Sequence, residues 1–353
     1  MDRVVSSISI GTRSIGAGSP CFVIAEAGVN HNGSPDLAVK LVDAAAEAGA
    51  DAVKFQTFRA DQLASPNAPK AWYQRDTADS GESQLEMLRR LELPREAYRQ
   101  LRDHAQRQGI VFLSTPFDEG SAALLDELGV PAFKTSSGDL TNLPLLRFIA
   151  RAGKPMLVST GMATLEEVCE AIAAIRSEGL ETIALLQCTS AYPADPRDAN
   201  LRVIDVMRQE FGLPVGYSDH TTGLETAIAA VALGACVIEK HLTVSRSLPG
   251  PDHAASLDPG AFARLVADVR LVEAALGDGR KVPSERERET ATVARKSLVA
   301  ARDIAAGEKL TPALVAIQRP GNGLPPRMRD HVLGRAVRID VARGTVFTLE
   351  MLA

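Results

Sequence analysis

The chain has 353 residues, of which 45% are hydrophobic and 24% are charged, and its formal net charge is −5. One large domain with a smaller one is expected at that length. The mild negative charge argues against nucleic acid or an anionic membrane as a partner. No segment approaches transmembrane length, the first twenty residues contain no signal-type apolar run, and the four cysteines lack metal-ligand spacing. The cysteines mostly fall inside apolar segments, so we expect a cytoplasmic protein with buried, reduced thiols.

Alternation of apolar and polar residues over 4–15 predicts a hairpin ahead of the main fold. Eight apolar runs of strand length then follow, each separated from the next by a segment with helical period, such as 35–48 or 165–175. The runs are 22–25, 52–55, 110–113, 132–133, 156–158, 183–186, 213–217 and 236–238. Eight strand–helix repeats predict an α/β fold, a (β/α)8 TIM barrel over 1–277 that includes the N-terminal hairpin at 1–20 and ends with a helix over 259–276.

The character of the sequence changes after Gly277. Residues 278–294 are charged without an apolar face and are predicted to be a linker or an exposed helix. Residues 295–353 contain short strand-like pieces (SLVAA, VAIQRP, RAVRI) between turn residues, which indicate a small β-rich domain. Within the barrel, the irregular stretch 59–80 is long enough to suggest a substrate loop.

Polar or ionisable residues follow all eight apolar runs, at the carboxyl ends of the strands where barrel enzymes place their active sites. They are Glu26; Lys54 and Gln56; Ser114 and Thr115; Lys134, Ser136, Ser137 and Asp139; Ser159 and Thr160; Thr189, Ser190 and Tyr192; Ser218, Asp219 and His220; Glu239 and His241. This repeated placement predicts an enzyme.

A strand–helix–strand crossover spans residues 213–243 and ends its two strands near His220 and His241. Parallel strands joined in this way bring their carboxyl ends to one edge, so the two imidazoles should be neighbours. Paired imidazoles suit Mn²⁺, Fe²⁺, Co²⁺ or Zn²⁺. Alternatively, each histidine only forms hydrogen bonds at its strand end.

Lys54 and Lys134 lie within apolar strands, so their amines should point to the open rim. With nearby hydroxyls they predict a pocket for phosphate and carboxylate groups, unless the lysines form purely structural ion pairs, such as Lys134 with Glu26. The hydroxyls are those of Thr115, Ser137, Ser159 and Ser218. Glu26 and Asp139 are the acids best placed for proton transfer or for binding substrate hydroxyls. Asp252, in the loop GPDH, is a candidate for binding a polyol or a simple turn cap.

An anion pocket beside a divalent-ion site fits two reaction classes. One is carbon–carbon bond formation between a phosphorylated enol and an aldehyde, and the other is hydrolysis in an amidohydrolase-type barrel. The second class expects His-x-His at the first strand and Asp at the last, whereas here these strands end in Glu26 and His241.

An ordered set of motifs is found along nearly the whole chain: AEAGVNHNG (25–33), KFQ (54–56), STPFD (114–118), KTSSGDLTNLPL (134–145), VSTGM (158–162), YSDHT (217–221), IEKH (238–241), GPDH (250–253) and QRPG (318–321). This set resembles the sialic acid synthase family. The resemblance implies a metal-dependent barrel that condenses phosphoenolpyruvate with an N-acylmannosamine-type aldehyde. It also implies that residues 295–353 form an antifreeze-like SAF domain, which is exchanged across a homodimer in that family.

Residue roles follow from the same resemblance. His220 and His241 would hold the metal, usually Mn²⁺, with Mg²⁺ or Co²⁺ as alternatives. Phosphoenolpyruvate would be bound by Lys54, Thr115, Lys134, Ser137, Ser159 and Ser218. The sugar would be held by Glu26, Gln56, Tyr192, Asp252 and Arg319, the last from the partner subunit. Asp139 stands where many members have Glu, which shortens the acid by one methylene.

The segments KAWYQRD (70–76) and ESQLEMLRRLEL (82–93) resemble the legionaminic acid synthase branch most closely. They favour 2,4-diacetamido-2,4,6-trideoxymannose as the sugar, for which Trp72 and Tyr73 would provide apolar surface. Three alternatives stay open at this point. They are an N-acetylmannosamine-specific member, another phosphoenolpyruvate aldol synthase, and a non-catalytic carbohydrate- or ice-binding protein.

Overall fold

The computed structural model describes residues 7–70 and 82–353, which divide into two compact units, 1–277 and 278–353. The predicted substrate-contacting residues Trp72 and Tyr73 lie outside the described residues. Along the described part of the chain, no helix combines the length and apolar character that crossing a lipid bilayer requires.

The first unit begins with an antiparallel hairpin, β1 (Ile8–Ile10) and β2 (Arg13–Ile15), as predicted. Eight parallel strands follow: β3 (Phe22–Gly28), β4 (Ala52–Thr57), β5 (Val111–Pro116), β6 (Phe133–Thr135), β7 (Met156–Ser159), β8 (Ile183–Cys188), β9 (Val215–Asp219) and β10 (Val237–His241). The ladder runs β5-β4-β3-β10-β9-β8-β7-β6, and its two end strands lie side by side, so the sheet is a nearly closed barrel. The predicted barrel is confirmed.

Helices connect the strands on the outside of the barrel. They are α1 (Pro35–Glu47), α2 (Ala60–Leu63), α3 (Gln84–Leu91), α4 (Arg95–Arg107), α5 (Glu119–Glu127), α6 (Leu143–Ala150), α7 (Leu165–Arg176), α8 (Val203–Phe211), α9 (Glu225–Ala232) and α10 (Pro259–Leu276). Local chemistry sets many of their ends. Ser34 caps α1, with Pro35 in its first turn, and Thr164 and Glu167 form a capping box at α7.

Two hydrophobic cores organise the barrel. The larger one fills the layer between strands and helices and includes Val23, Tyr217 and Phe262. The smaller one lies inside the barrel, among inward-facing residues such as Phe22 and Leu157, and it also contains the hairpin residues Ile8, Ile10 and Ile15. The hairpin therefore packs against the amino-terminal end of the barrel and leaves the carboxyl end for chemistry.

Most strands continue two or three residues beyond the predicted apolar runs. Thus β4 includes Gln56, β9 includes Asp219 and β10 ends at His241. The polar residues predicted to follow the strands are often their last residues, since backbone pairing does not stop where hydrophobicity does. The cysteines are free, and Cys169 on α7 is exposed although most cysteines were expected to be buried.

The second unit begins with irregular chain and helix α11 (Glu285–Ala294), which buries none of its residues. Strands β11 (Ser297–Ala300) and β12 (Val315–Gln318) pair antiparallel. The third predicted strand-like piece, 335–339, forms only isolated bridges, Lys309 with Ala336 and Val337 with Leu352. A short helix α12 (Arg329–Val332) and a core of its own complete this unit, with Leu298, Ile304, Val332 and Phe347 among its buried residues.

Candidate active site at the carboxyl end of the barrel

A cavity of about 500 Å³ opens at the carboxyl ends of the barrel strands. Most of the predicted site residues line it: Glu26, Lys54, Gln56, Thr115, Lys134, Ser137, Ser159, Tyr192, Ser218, His220, His241 and Asp252. They come from seven strands and four of the segments that follow strands, so the fold brings together residues spread over more than two hundred positions.

Two buried ammonium groups lie at the floor of the cavity. Lys54 Nζ donates to Thr115 Oγ1 at 3.0 Å and lies 2.7 Å from Glu26 Oε2. Lys134 Nζ donates to Ser159 Oγ at 2.6 Å and to the Thr135 carbonyl at 3.1 Å. Burying amines without partners is costly, and these contacts provide partners and direct the two amines into the cavity.

Glu239 lies between the two lysines. Its Oε2 is 3.8 Å from Lys54 Nζ, its Oε1 is 3.6 Å from Lys134 Nζ, and the Ser218 hydroxyl donates to Oε1 at 2.9 Å. Burial alone would raise the pKa of Glu239, but the two ammonium groups and the hydroxyl lower it to about 2. The carboxylate is therefore ionised and balances both cations.

The sequence indicated Glu239 only as a rim residue without a role. The alternation of a strand offered a signal that was missed, because Glu239 lies two positions before His241 and so faces the same side of β10. The suggested structural pair of Lys134 with Glu26 is replaced in the structure by the pair of Lys54 with Glu26.

Protonation of the lysines differs with their surroundings. Burial lowers the pKa of Lys134, and Glu239 only partly offsets this. For Lys54, burial acts in the same direction, but Glu239 and Glu26 together raise its pKa. Burial also raises the pKa of Glu26, although Lys54 acts to lower it. Glu26 Oε1 accepts a hydrogen bond from Gln56 Nε2 at 3.1 Å.

The two predicted metal-binding histidines are neighbours, with ring centroids 5.3 Å apart. His220 Nδ1 donates to the Thr189 carbonyl at 2.8 Å, which leaves the Nε2 lone pair free for a ligand. His241 Nδ1 is buried without a hydrogen-bond partner, and burial together with His220 holds the pKa of His241 well below its usual value. For His220, burial acts in the same direction, but Cys188 and the Thr189 carbonyl raise its pKa. Two neighbouring imidazoles of this kind fit a divalent ion. No cluster of three or more candidate ligands occurs in residues 7–70 and 82–353.

Tyr192 and Asp252 complete this side of the cavity. The Tyr192 ring lies 4.0 Å from the His220 ring and 5.6 Å from the His241 ring, the latter edge-on. Asp252 Oδ2 lies 3.8 Å from His241 Nδ1, and burial raises the pKa of Asp252 to about 6. Cys188, which the sequence indicated only as a buried thiol, also reaches the cavity, with its sulfur 3.7 Å from His220 Nδ1.

Part of the cavity lining is an apolar cluster. Helix α3 contributes Met87, Leu88 and Leu91, which line the cavity together with Leu63 and Phe117. The helix is fixed by a capping box between Ser83 and Glu86. Although the segment 82–93 was used to assign a branch of the family, this apolar wall was not predicted from it.

Two predicted site residues need separate description, because Asp139 does not line this cavity and Arg319 belongs to the other compact unit. A 3-10 turn over Ser137–Asp139 directs residues 136–138 inward and turns Asp139 away, where it accepts from Ser136 Oγ at 2.6 Å. Burial raises the pKa of Asp139. Arg319 belongs to the second unit and donates to the Ala294 carbonyl at 3.0 Å. The roles assigned to these two residues stay predictions.

His31 and His104 do not line the cavity. His31 is fully buried beside Phe55, and burial, together with His253, lowers its pKa to about 4. His104 is hydrogen-bonded to Asp43 at 2.6 Å.

Comparison with known proteins identifies the family. Residues 295–353 match the SAF domain. The chain is 47% identical over 316 residues to an N,N'-diacetyllegionaminic acid synthase of Campylobacter jejuni, covering 89% of this chain and 95% of that protein. It is 44% identical over 344 residues to the enzyme of the same name from Legionella pneumophila, covering 96% and 97%. The structure resembles an N-acetylneuraminic acid synthetase of Leptospira borgpetersenii crystallised with citrate, with a TM-score of 0.74, 33% identity, and coverage of 82% and 96%. Because the NeuB family model also matches residues 41–281, the chain belongs to the NeuB family.

Proposed function

We propose that this protein is a nonulosonic acid synthase that condenses phosphoenolpyruvate with an N-acylated aldehyde sugar and releases phosphate. The favoured sugar is 2,4-diacetamido-2,4,6-trideoxymannose, which would give diacetyllegionaminate. The observation that carries the proposal is the pair of buried lysines at the floor of a cavity whose rim holds two neighbouring imidazoles. The relatives named as diacetyllegionaminic acid synthases support the choice of sugar.

The floor of the cavity suits phosphoenolpyruvate. Its phosphate and carboxylate require cations and hydroxyl donors, which Lys54, Lys134, Thr115, Ser159 and Ser218 offer within one buried region. Donors fixed before the reaction stabilise charge that develops during it, by about 3 kcal/mol for a well-placed group.

The reaction forms a carbon–carbon bond to the aldehyde and a carbon–oxygen bond to water, and it breaks the carbon–oxygen bond to phosphate. C3 of phosphoenolpyruvate attacks the aldehyde carbon, water adds at C2, and the tetrahedral intermediate loses phosphate to give a 2-keto acid. His220 and His241 would hold a divalent ion such as Mn²⁺, whose chemistry there would be polarisation of the aldehyde oxygen. Glu26, Gln56, Tyr192 and Asp252 line the cavity above the lysines and orient the sugar through its hydroxyl and acyl groups.

The apolar wall formed by α3 favours the legionaminic precursor. That sugar has a methyl group at C6, where N-acetylmannosamine has a hydroxymethyl group, and it carries an additional acetamido group at C4. Met87, Leu88 and Leu91 offer such substituents apolar contacts. A hydrophobic pocket discriminates against an added hydroxyl by only about 1–3 kcal/mol, so N-acetylmannosamine should be a poor substrate that is still converted.

Assembly belongs to the same proposal. The resemblance to the family implies a homodimer in which the SAF domain of each subunit supplies Arg319 to the other subunit's cavity. We also place the protein in the cytoplasm, in keeping with four free cysteines.

A phosphate-release assay tests the proposal. Purified protein is incubated with phosphoenolpyruvate, Mn²⁺ and either sugar, and kcat/KM is compared at saturating phosphoenolpyruvate. We expect phosphate release with both sugars and a kcat/KM about 10-fold or more higher for the diacetamido sugar. A value equal or higher for N-acetylmannosamine would assign the protein to the ordinary sialic acid branch. No phosphate release with either sugar would refute the proposed reaction.

A further inference from the structure

The two strands that carry the histidines have a second polar contact on their outer face. On β9 and β10, Ser218, Glu239 and His241 face the cavity, whereas Asp219 and Lys240 point toward the surrounding helices. The register places Lys240 directly opposite Asp219 across the two strands. Each charged residue immediately precedes one of the two histidines.

Lys240 and Asp219 form a buried ion pair, with side chains that are 1% and 0% exposed. Lys240 Nζ lies 2.5 Å from Asp219 Oδ2 and also donates to the Thr221 carbonyl at 2.7 Å. Lys240 therefore binds the chain on both sides of His220, at residue 219 through a carboxylate and at residue 221 through the backbone.

The carboxylate of Asp219 reinforces the same turn. Its Oδ1 accepts from the Thr221 amide at 2.9 Å and from the Tyr217 hydroxyl at 3.2 Å. Its Oδ2 accepts from Thr226 Oγ1 on α9 at 2.9 Å. The backbone at His220 is thus fixed to its own strand, to β10 and to the following helix.

A buried ion pair is a poor source of net stability, because desolvation of two charges offsets most of their attraction. An apolar pair would fill this layer between strands and helices at no loss of stability, so the contact is better explained by geometry. We infer that Lys240 and Asp219 are positioning residues that fix His220 relative to His241 and thereby set the affinity of the rim for a divalent ion. The inference rests on the proposed function, in which these imidazoles bind that ion.

The test is Mn²⁺ binding by isothermal titration calorimetry, without substrates, in the full-length protein. The double variant Lys240→Met/Asp219→Asn removes both charges and keeps an acceptor for the Thr221 amide. We expect its Kd for Mn²⁺ to rise about 10-fold or more, as is typical when groups that orient metal ligands are lost. Phosphoenolpyruvate binding measured without metal should be unchanged. His241→Ala is the reference variant for a lost ligand.

A matched control is available at the other end of the barrel. Arg270 on α10 pairs at 2.7 Å with Asp51, the residue before β4, so this pair lies at the amino-terminal ends of the strands, whereas the histidines lie at the carboxyl ends. Arg270→Met/Asp51→Asn should lower thermal stability and leave the Kd for Mn²⁺ within twofold of wild type. Equal weakening of Mn²⁺ binding in both double variants would overturn the inference, because general loosening would then explain the effect.

Thr226→Val is a milder variant that removes one donor from the same carboxylate, and we expect its Kd for Mn²⁺ to rise about threefold. It serves as the deciding variant if the double substitution prevents folding. An unchanged Kd for Mn²⁺ in the folded variant that is measured would overturn this inference and leave the proposed function standing. A wild-type protein that binds neither Mn²⁺ nor Co²⁺ would instead refute the metal role in the proposed function, and the inference with it.

Discussion

Glu239 shows how much of the site's electrostatics depends on one residue. It balances Lys54 and Lys134 together, and one of its oxygens, Oε2, has no hydrogen-bond partner. Removing one member of a buried charge group leaves the others uncompensated, which costs more than the group contributes when intact. Without a bound anion, the stability of the site therefore depends on the negative charge of Glu239. A bound anion would balance the positive charge of the same lysines.

Glu239→Gln is expected to lower the free energy of unfolding by about 3 kcal/mol without ligand, because two buried ammonium groups lose their shared counter-charge. Saturating phosphoenolpyruvate should narrow this difference, since its phosphate and carboxylate replace the lost charge. Urea unfolding with and without phosphoenolpyruvate measures both effects. In Glu178→Gln, which breaks an exposed pair with Arg151, stability should stay close to wild type with or without the ligand. A Glu239→Gln deficit that phosphoenolpyruvate leaves unaltered would argue against anion binding by these lysines.

At the level of elements, the helices could be predicted more closely than the strands. The segment 35–48 was expected to be helical and α1 is Pro35–Glu47, while α10 has the predicted limits, Pro259–Leu276. Their ends are set by local chemistry, a capping serine or aspartate followed by proline. Strand ends depend instead on pairing with distant residues, so β9 and β10 continue into polar sequence that the apolar runs do not mark.

Strand β9 also contains a position where only glycine fits. A Cβ at Gly216 would lie 2.5 Å from the Val237 carbonyl oxygen and 2.6 Å from Leu186 Cδ2, inside the barrel. Gly216→Ala should therefore push β9 away from its neighbours and lower the free energy of unfolding by about 1–3 kcal/mol. Urea denaturation measures the change.

The control for that substitution is Gly260→Ala at the start of α10, where the nearest atom to a new Cβ is Asp258 Oδ1 at 3.5 Å. This variant should be as stable as the wild type or slightly more so, because alanine favours helix. If both variants behave alike, steric crowding at Gly216 is not the cause.

At the scale of the whole molecule, the sequence predicted which residues gather at the rim but not which of them touch. Twelve of the predicted site residues line the cavity because a parallel barrel brings all strand ends to one edge. The contacts of Glu239 with both lysines depend on the register between strands, which single-strand patterns do not contain. Likewise, the turn that moves Asp139 away and the placement of α3 against the cavity depend on tertiary packing.

The proposed exchange of SAF domains can be tested by subunit mixing. Arg319→Ala and Lys134→Ala should each be inactive alone, because each would disable both sites of its homodimer. After subunit exchange of equal amounts, half of the dimers are mixed and contain one intact site, so about a quarter of wild-type activity should return. Phosphate release measures the recovery, and fluorescence transfer between labelled subunits confirms exchange. Demonstrated exchange without recovery would show that Arg319 does not act across subunits.

The isoleucines of the N-terminal hairpin, Ile8, Ile10 and Ile15, pack into the core at the amino-terminal end of the barrel. The cavity opens at the carboxyl ends of the strands, so the lysines at its floor are reached from that side. For the proposed reaction we therefore expect phosphoenolpyruvate to bind before the sugar and phosphate to leave after the keto acid.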